Sequence, residues 1–224
     1  MNEKHTLPAD IERTSMKIIE NELRQRGIVL DVQNAAVVRR VIHTTADFDY
    51  AQNLKFTPNA VSLGVKAFSQ GTDVVTDTNM ARAGISKPSL KKLGGQAYCF
   101  MEDIDVAAAA REQGTTRADA SMQKAAAQYP KAILAIGNSP TALLRLEALI
   151  DAGLRPPLVI AVPVGFVNVE ESKERIFSVC TKKEIPVIVA MGRKGGSNVA
   201  AAICNALLYT ACDALDPAQR GWQG

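Results

Sequence analysis

The chain has 224 residues, 47% of them hydrophobic and only 5% aromatic, which suits one large α/β domain cored by Ala, Val, Ile and Leu. Lys+Arg 26 against Asp+Glu 23 leaves a net charge of +3, too mild for a nucleic-acid surface. The apolar runs are all well short of a membrane span, so neither nucleic acid nor membrane is expected as a partner.

Cys99, Cys180, Cys204 and Cys212 show neither CxxC nor metal-ligand spacing. They read as buried free thiols in strands or helices, kept in a reducing compartment. The opening MNEKHTLPADIERTS carries no hydrophobic segment, so no signal peptide is visible and a cytoplasmic location is expected.

Along the chain, Asp10 is the predicted cap of a first helix that carries Ile11, Ser15, Ile18, Ile19 and Leu23 and ends near Gly27. Arg13, Thr14 and Ser15 stand in its opening turn, near the positive end of the helix dipole; spacing alone makes them an ordinary solvated turn. Asp31 is the predicted cap of a second helix with the stripe Val37, Val38, Val41 and Ile42, and His43 follows directly. His5 stands in the terminus, so His43 is the candidate for proton transfer near neutral pH. On this stretch alone a packing role is the better reading, because a lone histidine beside an apolar stripe is more often packed than catalytic.

Thr57-Pro58 opens a third helix over 59–70, closed by Gly71. A short strand over 73–75 leads into a polar edge loop, 76–80. The basic turn Ser86 to Lys92, whose lysines read as solvated, leads to a strand over 97–101. Alanine-rich helices between Val106 and Gln128 break at Gly114, with Thr115-Thr116-Arg117 placed to cap and charge the second.

The clearest local plan is KAILAIGNSPTALLRLE. Its apolar run breaks at Gly137-Asn138, Ser139 stands where a helix cap is wanted, and Pro140 fits the first helical position. The pattern returns twice. Leu158 to Val162 precedes the loop 163–167, a cap at Asn168 and the helix EESKERIFSVC; Ile185 to Met191 precedes GRKGG, a cap at Ser197 and NVAAAICNALL. Three strand–loop–helix units predict an α/β fold, one domain over 1–224, with a mostly parallel sheet of about five strands flanked by helices and preceded by N-terminal helices. Ligands of such sheets lie beyond the carboxyl ends of the strands, where these loops gather.

GxxxxGK[ST], GxSxG and an opening GxGxxG are all absent, which argues against nucleoside triphosphate hydrolysis, dinucleotide redox chemistry and serine hydrolysis. Glycine and cation remain: Arg193, Lys194 and a helix N-terminus favour an anion, carboxylate or phosphate.

Together, RRVIHTTADF, IGNSPTALL, PVGFVNVEESKE and MGRKGGSNVAAAICNALL resemble the precorrin-8X methylmutase family. The last three blocks follow the family's order in one C-terminal region, and weaker resemblance runs from Ile11 to Leu208. The resemblance implies an α/β homodimer of corrin biosynthesis that moves a methyl group from C-11 to C-12 of a tetrapyrrole, giving hydrogenobyrinate or its cobalt counterpart, cobyrinate. It places the catalytic proton donor and acceptor on His43. It puts substrate contacts on Arg13, Thr14 or Ser15, Arg117, Asn138, Ser139, Gly165 and Arg193, with Lys194 by adjacency. No cofactor and no protein metal ligands are implied; cobalt, if present, arrives inside the substrate. Tight product binding and hand-over to the next pathway enzyme are also expected of the family. Two rival readings keep the scaffold: a non-catalytic tetrapyrrole carrier, and a nucleotide- or phosphate-binding enzyme of flavodoxin-like type.

Overall fold

The computed structural model describes residues 7–220; His5 lies outside the described residues. Six strands form the sheet: β1 (Leu54–Phe56), β2 (Val74–Thr76), β3 (Ala97–Tyr98), β4 (Ile133–Ile136), β5 (Val159–Ala161) and β6 (Val187–Ala190). Their order is β1-β6-β5-β4-β2-β3, and every pairing is parallel except that of β1 with β6. Five of these strands are those that the apolar runs predict. The sixth, β1, is LKF, too short to show a period. It is held by the edge of β6, with Leu54 opposite Ala190, and by the Met191 N–H donating to the Asn53 carbonyl at 2.8 Å.

Alternate residues of β4 to β6 face opposite layers, which is why the strands are apolar throughout rather than alternating. Ile133, Ala135, Ile160 and Ile188 pack under α1 (Pro8–Gln25), α2 (Ala35–Thr45), α4 (Ala60–Ser69), α5 (Asn79–Gly84), α6 (Lys87–Leu93) and α11 (Ser197–Ala211). Leu134, Ile136, Val159, Val187 and Val189 pack under α7 (Ile104–Glu112), α8 (Arg117–Gln128), α9 (Pro140–Asp151) and α10 (Val169–Lys182). The single-turn α3 (Tyr50–Asn53) joins α2 to β1. At the centre of the first layer lies α11, buried along most of its length and in contact with α2, α4 and α5. None of the described helices is long and apolar enough to cross a membrane.

Several caps differ from the sequence reading. Asp10 is not the cap of α1: Leu7 holds that place without a side-chain bond, Pro8 opens the helix, and Asp10 pairs with Arg13 inside the first turn. Asp31 accepts the Gln33 N–H in a turn, and α2 begins only after Asn34. Ser197 is the first residue of α11 with Gly196 at the cap, while Ser139 and Asn168 occupy cap positions with no side-chain bond to a backbone N–H of the helix. Thr116 does cap α8, accepting the Asp119 N–H at 3.2 Å. The stretches read as a loop and a basic turn are α5 and α6, capped by Thr78 and Ser86, and too short for a helical period to stand out. All four thiols are free, but only Cys180 and Cys204 are buried; Cys99 lies just past β3 and Cys212 just past α11, both half-buried.

Candidate active site

Four loops meet at the carboxyl edge of the parallel strands. Two buried ionic groups that the sequence reading passed over shape them. Asp77, next after β2 and 1% exposed, accepts the N–H groups of Gly137 (2.8 Å), Asn138 (2.8 Å) and Ser139 (2.7 Å). Burial pushes its carboxyl pKa up, and the three N–H bonds oppose that shift. The first amides of the β4–α9 loop are therefore consumed inside the protein and are not open to an anion. A Cβ on Gly137 would stand 2.7 Å from Ser197 Cα, so only glycine lets the loop lie against the start of α11.

Asn138 is exposed beside this clamp, and Ser139 begins a chain of hydroxyls. Its Oγ lies 2.8 Å from Thr141 Oγ1, which lies 2.7 Å from Thr116 Oγ1. Arg117, the residue after Thr116, is exposed at the start of α8 and has no ion pair among the described residues. Asn138, Ser139 and Arg117 are thus brought together.

The second buried ion is Lys173 in α10, 0% exposed, whose Nζ donates to the carbonyls of Gly192 (2.7 Å) and Lys194 (2.8 Å). Burial lowers its pKa to about 8, with Glu170 opposing. The neighbouring loop joins in: the Gly165 N–H donates to the Arg193 carbonyl at 3.3 Å, and a Cβ on Gly195 would collide with the Val162 and Pro163 carbonyls. A signal for Lys173 was present. It falls on the stripe Val169, Ser172, Ile176 and Cys180, where a solvated lysine does not belong.

The expected cations of the β6–α11 loop are paired rather than free. Arg193 lies 2.8 Å from Glu170 and 5.6 Å from the Phe166 ring, with both ionic partners exposed. Lys194 Nζ lies 2.6 Å from both Asp47 and Asp49, which raises its pKa and ties this loop to the end of α2. His43 lies in the last turn of α2, which stops at Ala46 in the left-handed region (φ 54°), and Asp47, one of the two aspartates in that tie, follows. Around the half-buried imidazole stand Arg40, Glu12 and Arg220. Glu12 accepts from Arg40 at 2.7 Å and from Arg220 at 2.9 Å, and both guanidinium groups lie over the Tyr209 ring. Burial, then Arg40, lower the His43 pKa; Glu12 opposes them and Arg220 adds to the lowering. The shift favours the neutral imidazole.

Of the contacts expected on α1, Arg13 and Ser15 find partners within α1 and at Asp216. Arg13 pairs with Asp10 and Asp216, Ser15 Oγ donates to the Ile11 carbonyl, and Thr14 is half-buried. None of the three bonds to an edge loop among the described residues. At the edge, Met80 (72% exposed) in the first turn of α5, and Phe166 (83%) and Val167 (76%) on the loop after β5, stand open. A cavity of about 440 Å³ between α6 and β3, lined by Arg82, Lys87 and Lys91, contains none of these residues.

The sequence profile described as precorrin-8X methylmutase matches residues 10–210, a span that holds His43 and every edge loop. The chain belongs to the precorrin-8X methylmutase family. Its family relatives include the cobalt-precorrin-8 methylmutase of Leptospira interrogans, 42% identical over 93% of this chain and 96% of the relative. The enzyme of that name from Salmonella typhimurium is 41% identical, over 90% and 95%. The precorrin-8X methylmutase of Pseudomonas aeruginosa is 35% identical, over 88% and 93%. The crystal structure of the family member from Thermus thermophilus aligns with a TM-score of 0.81 at 35% identity, over 91% of this chain and 98% of that one.

Proposed function

We propose that this chain is the isomerase that moves a methyl group from C-11 to C-12 of the precorrin-8 ring, with His43 carrying the proton. The observation that bears most weight is His43 itself, a neutral, half-buried imidazole on a helix end that Lys194 ties to a ligand edge of glycines, hydroxyls and exposed apolar side chains. A formal [1,5] shift requires the right tautomer of a conjugated ring. A neutral imidazole takes a proton from one ring position and returns it to another, a contribution of about 10² to 10⁴ in rate.

The remaining residues bind and orient. A ring fringed with acetates and propionates lays its apolar face on Phe166, Val167 and Met80 and its carboxylates on Arg117, Ser139, Asn138, Gly165 and Arg193. Arg193 is exchangeable: its pair with Glu170 is exposed, and such pairs contribute about 0–1 kcal/mol, so a substrate carboxylate displaces Glu170 at little cost. Lys194 acts chiefly as the tie to α2. Arg13, Thr14 and Ser15 contact substrate only where the ring extends past His43 toward α1.

The apolar side chains left open at the edge support a homodimer whose second copy covers the ring. Cobalt, where the ring carries it, enters with the substrate, and no resident cofactor is required. The protein works in the cytoplasm and hands its product to the next corrin enzyme.

Anaerobic incubation with cobalt-precorrin-8 and, separately, precorrin-8X, followed by the visible spectrum, tests this reading. Conversion to the rearranged chromophore, lost in His43→Ala, is expected. Binding of both without conversion would establish a carrier instead.

A further inference from the structure

We propose that Lys173 is a positioning residue of this site: from beneath the β6–α11 loop its ammonium holds the Gly192 and Lys194 carbonyls inward, which turns the Arg193 and Gly195 amides outward to receive a substrate carboxylate. The inference rests on the tetrapyrrole reading for its ligand but not for its geometry.

A lysine is almost never fully buried unless its charge is met. Lys173 is 0% exposed, and among the described residues its ammonium bonds to no carboxylate; its two partners are carbonyl oxygens two residues apart on one loop. A trans peptide is planar, so a carbonyl turned inward sends the N–H of the following residue the opposite way. The Gly192 carbonyl therefore sets the Arg193 N–H, and the Lys194 carbonyl sets the Gly195 N–H. Between them, the Arg193 carbonyl accepts from Gly165 at 3.3 Å, which turns the Lys194 N–H away from the β5–α10 loop. Three successive carbonyls are thus taken by donors of the segment that ends in α10. Their three following amides have no hydrogen-bond partner among the described residues. Consecutive amides turned outward in this way form a concavity suited to an anion.

The same helix also sets the side chain between those amides. Glu170, one turn before Lys173, holds the Arg193 guanidinium at 2.8 Å, so α10 governs both the backbone and the cation of the loop. Gly192 permits the arrangement with a left-handed φ of +73°. An aliphatic residue at 173 would suit the stripe with Ile176 and Cys180, yet it would leave two part-buried carbonyls without that donor. Packing alone gives no reason for a lysine here.

Lys173→Met, Lys173→Gln and Lys173→Arg separate positioning from mere folding. Steady-state turnover of cobalt-precorrin-8 is measured beside the thermal midpoint and backbone amide exchange across residues 191–197. The expected result for Lys173→Met is a KM raised about tenfold to a hundredfold with kcat within about threefold, and faster exchange confined to the loop. Arginine, which can still donate to both carbonyls, restores most of the KM. Wild-type KM in Lys173→Met, or a loss of activity that only follows the fraction of unfolded protein, would overturn the proposal. If Lys173→Met does not fold, glutamine, whose amide stops one bond short of the ammonium's position and so does not reach both carbonyls, carries the same comparison, and an unchanged KM there overturns it equally. Should the wild type convert no tetrapyrrole, the function reading fails by itself; loop exchange then decides the clamp, because unchanged exchange in the variants refutes it.

Discussion

Replacing Asp77 with asparagine alters one heavy atom and should disable the loop after β4. The carboxylate accepts three N–H groups at 2.7–2.8 Å, each a charge-assisted bond contributing about 1.5–3 kcal/mol. Asparagine presents one oxygen, good for at most two neutral bonds of about 1 kcal/mol each, and turns an NH₂ toward the third N–H. Relief of the buried charge returns part of the difference. The net loss is about 3 kcal/mol, which for a domain of this size lowers the melting midpoint by roughly 6–12 °C. Asn138 and Ser139 move with the amides they carry, so kcat/KM falls by more than the unfolded fraction explains. Calorimetry beside the spectral assay on the same sample reads both quantities. A variant with the wild-type midpoint and wild-type kcat/KM would show that these amides find other partners and that Asp77 does not hold the loop.

His43→Ala should lower kcat about 10² to 10⁴-fold while retaining product binding, measured by titration with the rearranged ring. Because burial and Arg40 hold the His43 pKa below the ordinary 6.5, the unfolded chain binds more protons between the two values; stability relative to His43→Ala therefore rises with pH through that window and is lost as pH falls. Arg40→Met removes a lowering influence, so the acid limb of the kcat/KM profile should move to higher pH; an unmoved limb would remove His43 as its source. For Lys173, with a folded pKa of about 8 against 10.5, the unfolded chain again binds more protons between those values. Wild type should gain stability relative to Lys173→Met by up to about 3 kcal/mol from pH 8 to 10.5, readable in urea midpoints. Arg193→Ala should change stability by about 0.5 kcal/mol or less, since its pair is exposed, yet raise KM; unchanged KM would remove Arg193 from the carboxylate contacts.

The edge residues differ in how far they could be read from the chain alone. His43 stood out by elimination and by the blocks around it, and the structure adds what sets its titration: Glu12 from α1, Arg40 one turn earlier and Arg220 near the end of the chain. Arg193 and Lys194 read as one cationic loop. Folding divides them, giving Arg193 an exposed, exchangeable partner and binding Lys194 to two aspartates. A net count of charge along the loop cannot show this, because Asp47 is 147 residues from Lys194.

What the sequence determined by itself was whatever depends on neighbours within a few residues. Short apolar runs of three to seven residues locate β2 to β6 approximately, prolines and glycines mark where helices open and loops turn, and period 3.6 reveals the long helices. The tertiary structure alone decided β1, which is a strand only because β6 has an unpaired edge, and α5 and α6, too short to carry a period. It alone decided the burial of Asp77, 60 residues from the first amide it holds, and of Lys173, 19 and 21 residues from its two carbonyls. The physical reason is common to all of these. Hydrophobic pattern and backbone preference are local and repeat along the chain, whereas the satisfaction of a buried charge or a strand edge depends on which distant groups the fold brings within 3 Å.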